Sequence, residues 1–194
     1  MMDPQFYLAS ASPRRRQLLE QMGLRFEVVA ADVDEGLRPG EPPEDYVSRV
    51  AEAKAQAVVL RLGSPVLPVL AADTAVVLDG GILGKPRDRA DGMAMLDRLA
   101  GRSHQVLSAV ALWHADRVRR ALSRSRVTFR AISSEEAAAY WASGEPADKA
   151  GGYGIQGLGG VFVESLEGSY SGVMGLPLFE TAALLKETGI RVLK

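Results

Sequence analysis

The sequence predicts a mixed α/β fold, a sheet flanked by helices, and three observations predict it. Short apolar runs rich in β-branched residues alternate with segments of helical period. Strand–helix alternation of that kind builds a sheet with helices packed on it. Two long strand-like runs are joined by the tripeptide HAD (114–116), and such a hairpin brings antiparallel pairing into an otherwise doubly wound pattern. The 194 residues suffice for one well-buried domain, and no linker, repeat or low-complexity tract divides them.

Residues 6–9 form the first strand and feed a helix that starts at Pro13, with Ser12 at the N-cap. Leu18, Leu19 and Met22 share a face of that helix, and Gly23 stops it. Residues 26–31 read as a strand that runs into the acidic loop ADVDEG. A long helix spans 42–63, with Tyr46, Val50, Ala53 and Ala57 as its apolar stripe. Residues 68–78 (PVLAADTAVVL) are almost continuously apolar, as in a strand buried on both faces. A turn, DGGILGKP, leads to a helix over 88–101. Strands at 106–113 and 118–132 make the hairpin. SSEEAAAYWASG (133–144) carries a capping box, Ser133 with Glu136. A glycine-dense loop (145–160), a strand (161–169), a helix (177–189) and a last strand (191–193) complete the reading.

Composition excludes several function classes. With 23 basic and 24 acidic residues the net charge is −1, which leaves no whole-molecule footprint for nucleic acid or an anionic membrane. The absence of cysteine removes disulfides, thiolate nucleophiles and cysteine-ligated zinc, and His104 and His114 read as a loop and a turn residue. The N-terminus MMDPQFYLAS has no basic region followed by a long apolar run, and no stretch is long enough to span a bilayer. A soluble, cytoplasmic protein is the expectation.

Two motifs look familiar and fail on context. GYGIQG (152–157) fits G-x-G-x-x-G, but no helix opens after it, so it reads as a turn of close backbone approach. GGILGKP is half a P-loop with Pro86 where a hydroxyl must bind magnesium. The arginines at 117, 119, 120, 124 and 126 have no aromatic residues between them to stack bases and read as a solvated sheet face.

Two features point to chemistry. Asp73 interrupts an apolar strand, where a carboxylate is costly unless paired, hydrogen-bonded or metal-bound. Arg14, Arg15 and Arg16 crowd the first turn of a helix, the end that already carries positive dipole charge. A strand-to-helix turn with free N–H groups and guanidinium forks suits an oxyanion such as phosphate.

In order along the chain, LASASPRRRQLL, DVDE, AEAKA, AADTAVVLDGGILGKPRD and DKAGGYGIQGLGGVFVESLEGSYSGVMGLPL closely resemble the Maf family of nucleoside triphosphate pyrophosphatases. The resemblance implies one Maf-like domain over 1–194, related in fold to the inosine triphosphate pyrophosphatases (Ham1-like), with two lobes around a cleft and usually a homodimer. It implies hydrolysis of a nucleoside triphosphate to monophosphate and pyrophosphate with a divalent metal, Mg2+ or Mn2+. Arg14, Thr74 and Gln156 match the branch acting on dTTP and UTP. Ala75 replaces the commoner Val, and Arg16 adds a third arginine, leaving open which guanidinium faces inward.

On this resemblance Asp73 is the proton acceptor. Arg14, Arg15, Lys54 and Lys85 form the triphosphate clamp, Ser10 and Ser12 add neutral donors, Glu35 helps hold the metal, and Thr74 and Gln156 meet the base. Carbonyl acceptors and an N–H on a pyrimidine suit an amide, which both donates and accepts. Two other readings stay open: a nucleotide-binding regulator of cell division or septum formation, and a purine triphosphate pyrophosphatase of the inosine type.

Overall fold

The computed structural model describes residues 3–193. Seven strands form one mixed sheet: β1 (Phe6–Leu8), β2 (Phe26–Val28), β3 (Val69–Leu78), β4 (Gly81–Leu83), β5 (Ser103–His114), β6 (Arg117–Phe129) and β7 (Val163–Glu167). The spatial order is β2-β1-β3-β5-β6-β7, with β4 also paired to β3. β2, β1 and β3 are parallel, and every other pairing is antiparallel. The helices are α1 (Pro13–Gln21), α2 (Pro43–Leu62), α3 (Arg89–Leu99), α4 (Ser134–Ala142), α5 (Tyr170–Met174) and α6 (Leu178–Lys186). The mixed sheet flanked by helices agrees with the sequence reading.

β3 organises the molecule. One of its edges pairs with β5 from Val69 to Val77. Its other edge meets β1 only at Val69 and Leu70, and β4 only from Val76 to Leu78. Residues 71–75 therefore have no strand on that side, because the chain leaves β1 at Ser10 to enter α1. A crevice opens there, at the carboxyl ends of parallel strands, where α/β sheets commonly bind ligands.

Side chains alternate along β3 and face different cores. Val69, Ala71, Ala75 and Val77 pack with the buried face of α2, including Val47, Ala51, Ala55 and Val58. Leu70 and Ala72 face the other way, into a core shared with Leu18 and Leu19 of α1 and Leu184 and Leu185 of α6. Further along that same face, Val76 and Leu78 join a third core with Leu96, Leu99, Phe129, Tyr140 and Phe162. The crevice thus lies along β3 where these three cores meet.

Several local expectations are corrected. The buried stripe of α2 is Val47, Val50, Ala51, Lys54, Ala55, Val58 and Val59, with Tyr46, Ala53 and Ala57 at its margins. Alanines on both sides blur the phase of that helix. β2 stops at Val28, since only three residues pair with β1. The segment 161–169 begins with a 3-10 turn, Leu158–Phe162, before β7. Residues 191–193 form no strand; Ile190 and Val192 pack on the α6 core instead. β4 and α5 were not anticipated. His104 is no loop residue: it is buried in β5, its Nε2 2.8 Å from the Tyr153 hydroxyl, and burial lowers its pKa to about 4.

The hairpin and the capping box agree with expectation. Ala115 and Asp116 both have positive φ, as a tight two-residue hairpin turn requires. The Ser133 hydroxyl accepts from the Glu136 N–H, and the Glu136 carboxylate accepts from the Ser133 N–H. The arginine run on β6 is solvated and paired, for example Arg119 with Glu187, Arg120 with Glu52 and Arg124 with Glu44.

Candidate active site

A cleft of about 490 Å³ occupies the crevice, and all ten residues singled out in the sequence line it. Ser10, Ser12, Arg14 and Arg15 come from the β1–α1 turn. Asp73 and Thr74 come from the open edge of β3. Lys85 follows β4, Lys54 reaches in from α2, Glu35 from the acidic loop and Gln156 from the glycine-dense loop.

The three arginines have three different fates. Arg15 points inward and is buried: its Nε donates to the Gly175 carbonyl (2.8 Å) and its Nη1 to Ser10 Oγ (3.2 Å). Arg14 lies at the rim, its Nη1 3.2 Å from the Asp148 carboxylate across the cleft. Arg16 turns outward to Glu20. The inward guanidinium is therefore that of Arg15. Ser12 occupies the N-cap of α1, but its side chain makes no capping bond; its N–H donates to Ser10 Oγ instead. The helix start thus keeps its remaining N–H groups for another acceptor.

Asp73 and its neighbour Thr74 leave the strand in opposite directions. Asp73 turns toward α2, where Lys54 Nζ donates to its Oδ1 at 2.8 Å; the same ammonium lies 2.8 Å from Glu35 Oε1. Burial pushes the Asp73 pKa above the ordinary aspartate value, while the Lys54 and Arg15 charges pull against it. Thr74 turns to the other face, 2.9 Å from Ser108 Oγ and 3.5 Å from Arg15 Nη2. Thus Thr74 touches the inner arginine directly, a neighbourhood that residue order did not reveal.

Three further residues line the cleft and escaped the sequence reading. Asp148 accepts from both Arg14 (3.2 Å) and Lys149 (2.7 Å), and Lys149 also donates to the Glu145 carbonyl. Both belong to the DKAGG segment, whose place in the family resemblance was the available signal. Tyr46, assigned to the helix stripe, also faces the cleft; burial, with the Asp73 and Glu35 charges, pushes its hydroxyl up to about 12.

A crevice with buried and rim cations, a helix start with free donors and one desolvated carboxylate defines a site for hydrolysing a polyanionic ester or anhydride. The family follows from comparison: residues 5–188 match the Maf family, described as "Maf-like protein", and the chain belongs to that family. Its relatives include the dTTP/UTP pyrophosphatase of Methylobacillus flagellatus, 53% identical over 186 residues, covering 96% of this chain and 94% of that one. The dTTP/UTP pyrophosphatase of Hahella chejuensis is 54% identical over 186 residues, covering 95% and 92%. Among solved structures, a nucleoside-triphosphatase / dITP/XTP pyrophosphatase from Mycobacterium abscessus is similar, with TM-score 0.45, 18% identity and coverage of 95% of this chain and 94% of that one.

Proposed function

We propose that the protein hydrolyses dTTP and UTP to the monophosphate and pyrophosphate, acting as a single Maf-like domain in a homodimer. The observation that carries this reading is the desolvated Asp73 carboxylate in one cleft with the cations of Arg14, Arg15, Lys54 and Lys85. The two relatives named as dTTP/UTP pyrophosphatases support the choice of substrate.

Asp73 accepts the proton of the water that attacks the α-phosphorus; its raised pKa makes it a better base than an ordinary aspartate. Lys54 holds that carboxylate in place through one hydrogen bond. Arg14, Lys85 and the α1 start grip the triphosphate, and Arg15 adds charge from beneath while it fixes Ser10. Gln156, exposed in its turn, faces the base. Thr74 acts on substrate choice from the cleft floor, through its contact with Arg15.

A divalent cation fits this donor set. Among the described residues no group of three or more His, Asp or Glu side chains gathers to hold a metal, yet Glu35 and Asp73 converge on one ammonium. Magnesium or manganese bound largely through waters and phosphate oxygens needs only one or two such carboxylates. Glu35, the more exposed of the pair, is the residue that would hold it, and the cation would offset phosphate charge.

Product analysis tests the reaction. With dTTP and Mg2+ or Mn2+, dTMP and pyrophosphate in equal amounts are expected; dTDP with orthophosphate would place the attack at the wrong phosphorus and end this reading.

A further inference from the structure

The loop that carries Gln156 is held by two residues outside the cleft's lining. The hydroxyl of Tyr140, a buried residue of α4, donates to Glu145 Oε1 (2.7 Å) and accepts from the Gly154 N–H (3.0 Å). Glu145 Oε1 also accepts from the Gly159 N–H (3.1 Å), and Oε2 accepts from the Leu158 N–H (2.8 Å). One phenol and one carboxylate thus bind main-chain groups on both sides of Gln156, two residues before it and two and three residues after it. Burial works against the Glu145 charge, but the hydroxyl and the two backbone donors outweigh it and hold its pKa below the ordinary glutamate value.

The glycines of the loop fit this brace. A Cβ on Gly157 would overlap the Glu145 carboxylate, and one on Gly159 would lie 2.5 Å from the Tyr140 hydroxyl. At Gly159 the Gly154 main chain also stands within 3.0 Å, so only glycine is accommodated there, while at Gly157 a side chain would push the Glu145 carboxylate out of the brace. Gln156 itself is exposed, with its side chain free for a ligand at the cleft wall.

We propose that Tyr140 and Glu145 are positioning residues for nucleotide selection: they fix the turn that presents Gln156 to the base, and so set the preference among pyrimidine nucleotides without touching substrate. This rests on the reading of Gln156 as the residue that meets the base. An amide discriminates a carbonyl from an amino group only if its own two ends are held in a fixed orientation.

The test compares dTTP with dCTP, which differ at the carbonyl-versus-amino position of the base. Tyr140→Phe keeps the ring packed against Phe162 and removes only the hydroxyl. It is expected to lower the dTTP/dCTP ratio of kcat/KM by about fivefold, the scale of one lost hydrogen bond. Glu145→Gln, with an amide group facing a backbone donor, is expected to act in the same direction. Because both substrates are assayed on one sample, a reduced folded fraction cancels from the ratio. Gln156→Ala is expected to lose the preference, and Tyr140→Phe added to it to lower the ratio no further. A wild-type ratio in both Tyr140→Phe and Glu145→Gln would overturn the brace and leave the role of Gln156 standing. A wild-type ratio in Gln156→Ala would overturn both, since the brace would have nothing to position.

Discussion

Asp73 is the residue whose environment is most at odds with its chemistry. Its folded pKa is raised by burial, so at neutral pH the chain must ionise it in a place that disfavours charge. A carboxyl with a higher pKa folded than unfolded weakens the fold above the folded pKa, and the penalty fades as pH falls toward the unfolded value of 3.8. The metal-free Asp73→Asn protein is therefore expected to be more stable than wild type near pH 7, with the gap closing toward about pH 4. Lys54 keeps Glu35 as a partner in that variant. Urea unfolding across that range checks the sign; a variant less stable at neutral pH would mean that the Lys54 bond outweighs burial. Hydrolysis by the same variant should fall by at least about 100-fold. Asp73 was legible in the sequence because an acid in an apolar strand is anomalous on its own. Glu35 and Lys54 were legible only through the family resemblance: an acid in a loop and a lysine on a helix look ordinary until folding brings them to one point.

Among the elements, α3 and α4 are joined by a contact that propensity cannot foresee. Gly92 lies inside α3, where alanine is favoured over glycine by about 1 kcal/mol. A Cβ there would overlap the Trp141 ring of α4, and overpacking of that kind costs about 1–3 kcal/mol. Gly92→Ala should therefore lower stability, by about 1 kcal/mol net. A lower urea midpoint with altered tryptophan fluorescence is the expected record; a higher midpoint would show that the ring yields freely. Caps and turns were the legible part at this scale. The Ser133–Glu136 box and the HAD turn are decided by bonds among near neighbours, so a few residues suffice to read them. The phase of α2, the return strand β4 and the short helix α5 depend on distant partners, and no local pattern announces them. The brace of Tyr140 and Glu145 escaped for the same reason, since each looks like a surface residue beside its own helix end.

For the whole molecule, charge is balanced globally and polarised locally. The net charge of −1 spreads over a surface whose β6 arginines are matched by acids, while the cleft gathers cations. Attraction of a triphosphate is then a short-range property of the cleft. Raising salt from about 0.05 to about 0.5 M shortens the screening length to a few ångström, so KM for dTTP should rise by about tenfold, with kcat changing much less. Initial rates over a salt series check this; a flat KM would mean that uncharged contacts dominate binding. The mixed sheet was foreseeable from the alternation of runs. The split along β3 was not, because it arises from where β1 ends and where β4 returns.

That split strand carries a further consequence. Asp73 and Thr74 are adjacent in the chain yet serve opposite sides, one meeting Lys54 and the other Arg15. Removing a single amino acid between the β1 contact at Leu70 and Asp73 would put the Thr74 hydroxyl before Lys54 and turn the carboxylate to the opposite face, and adding one would put the carboxylate before Arg15. Natural and engineered variants of this segment should therefore tolerate many changes of side chain and almost none of length.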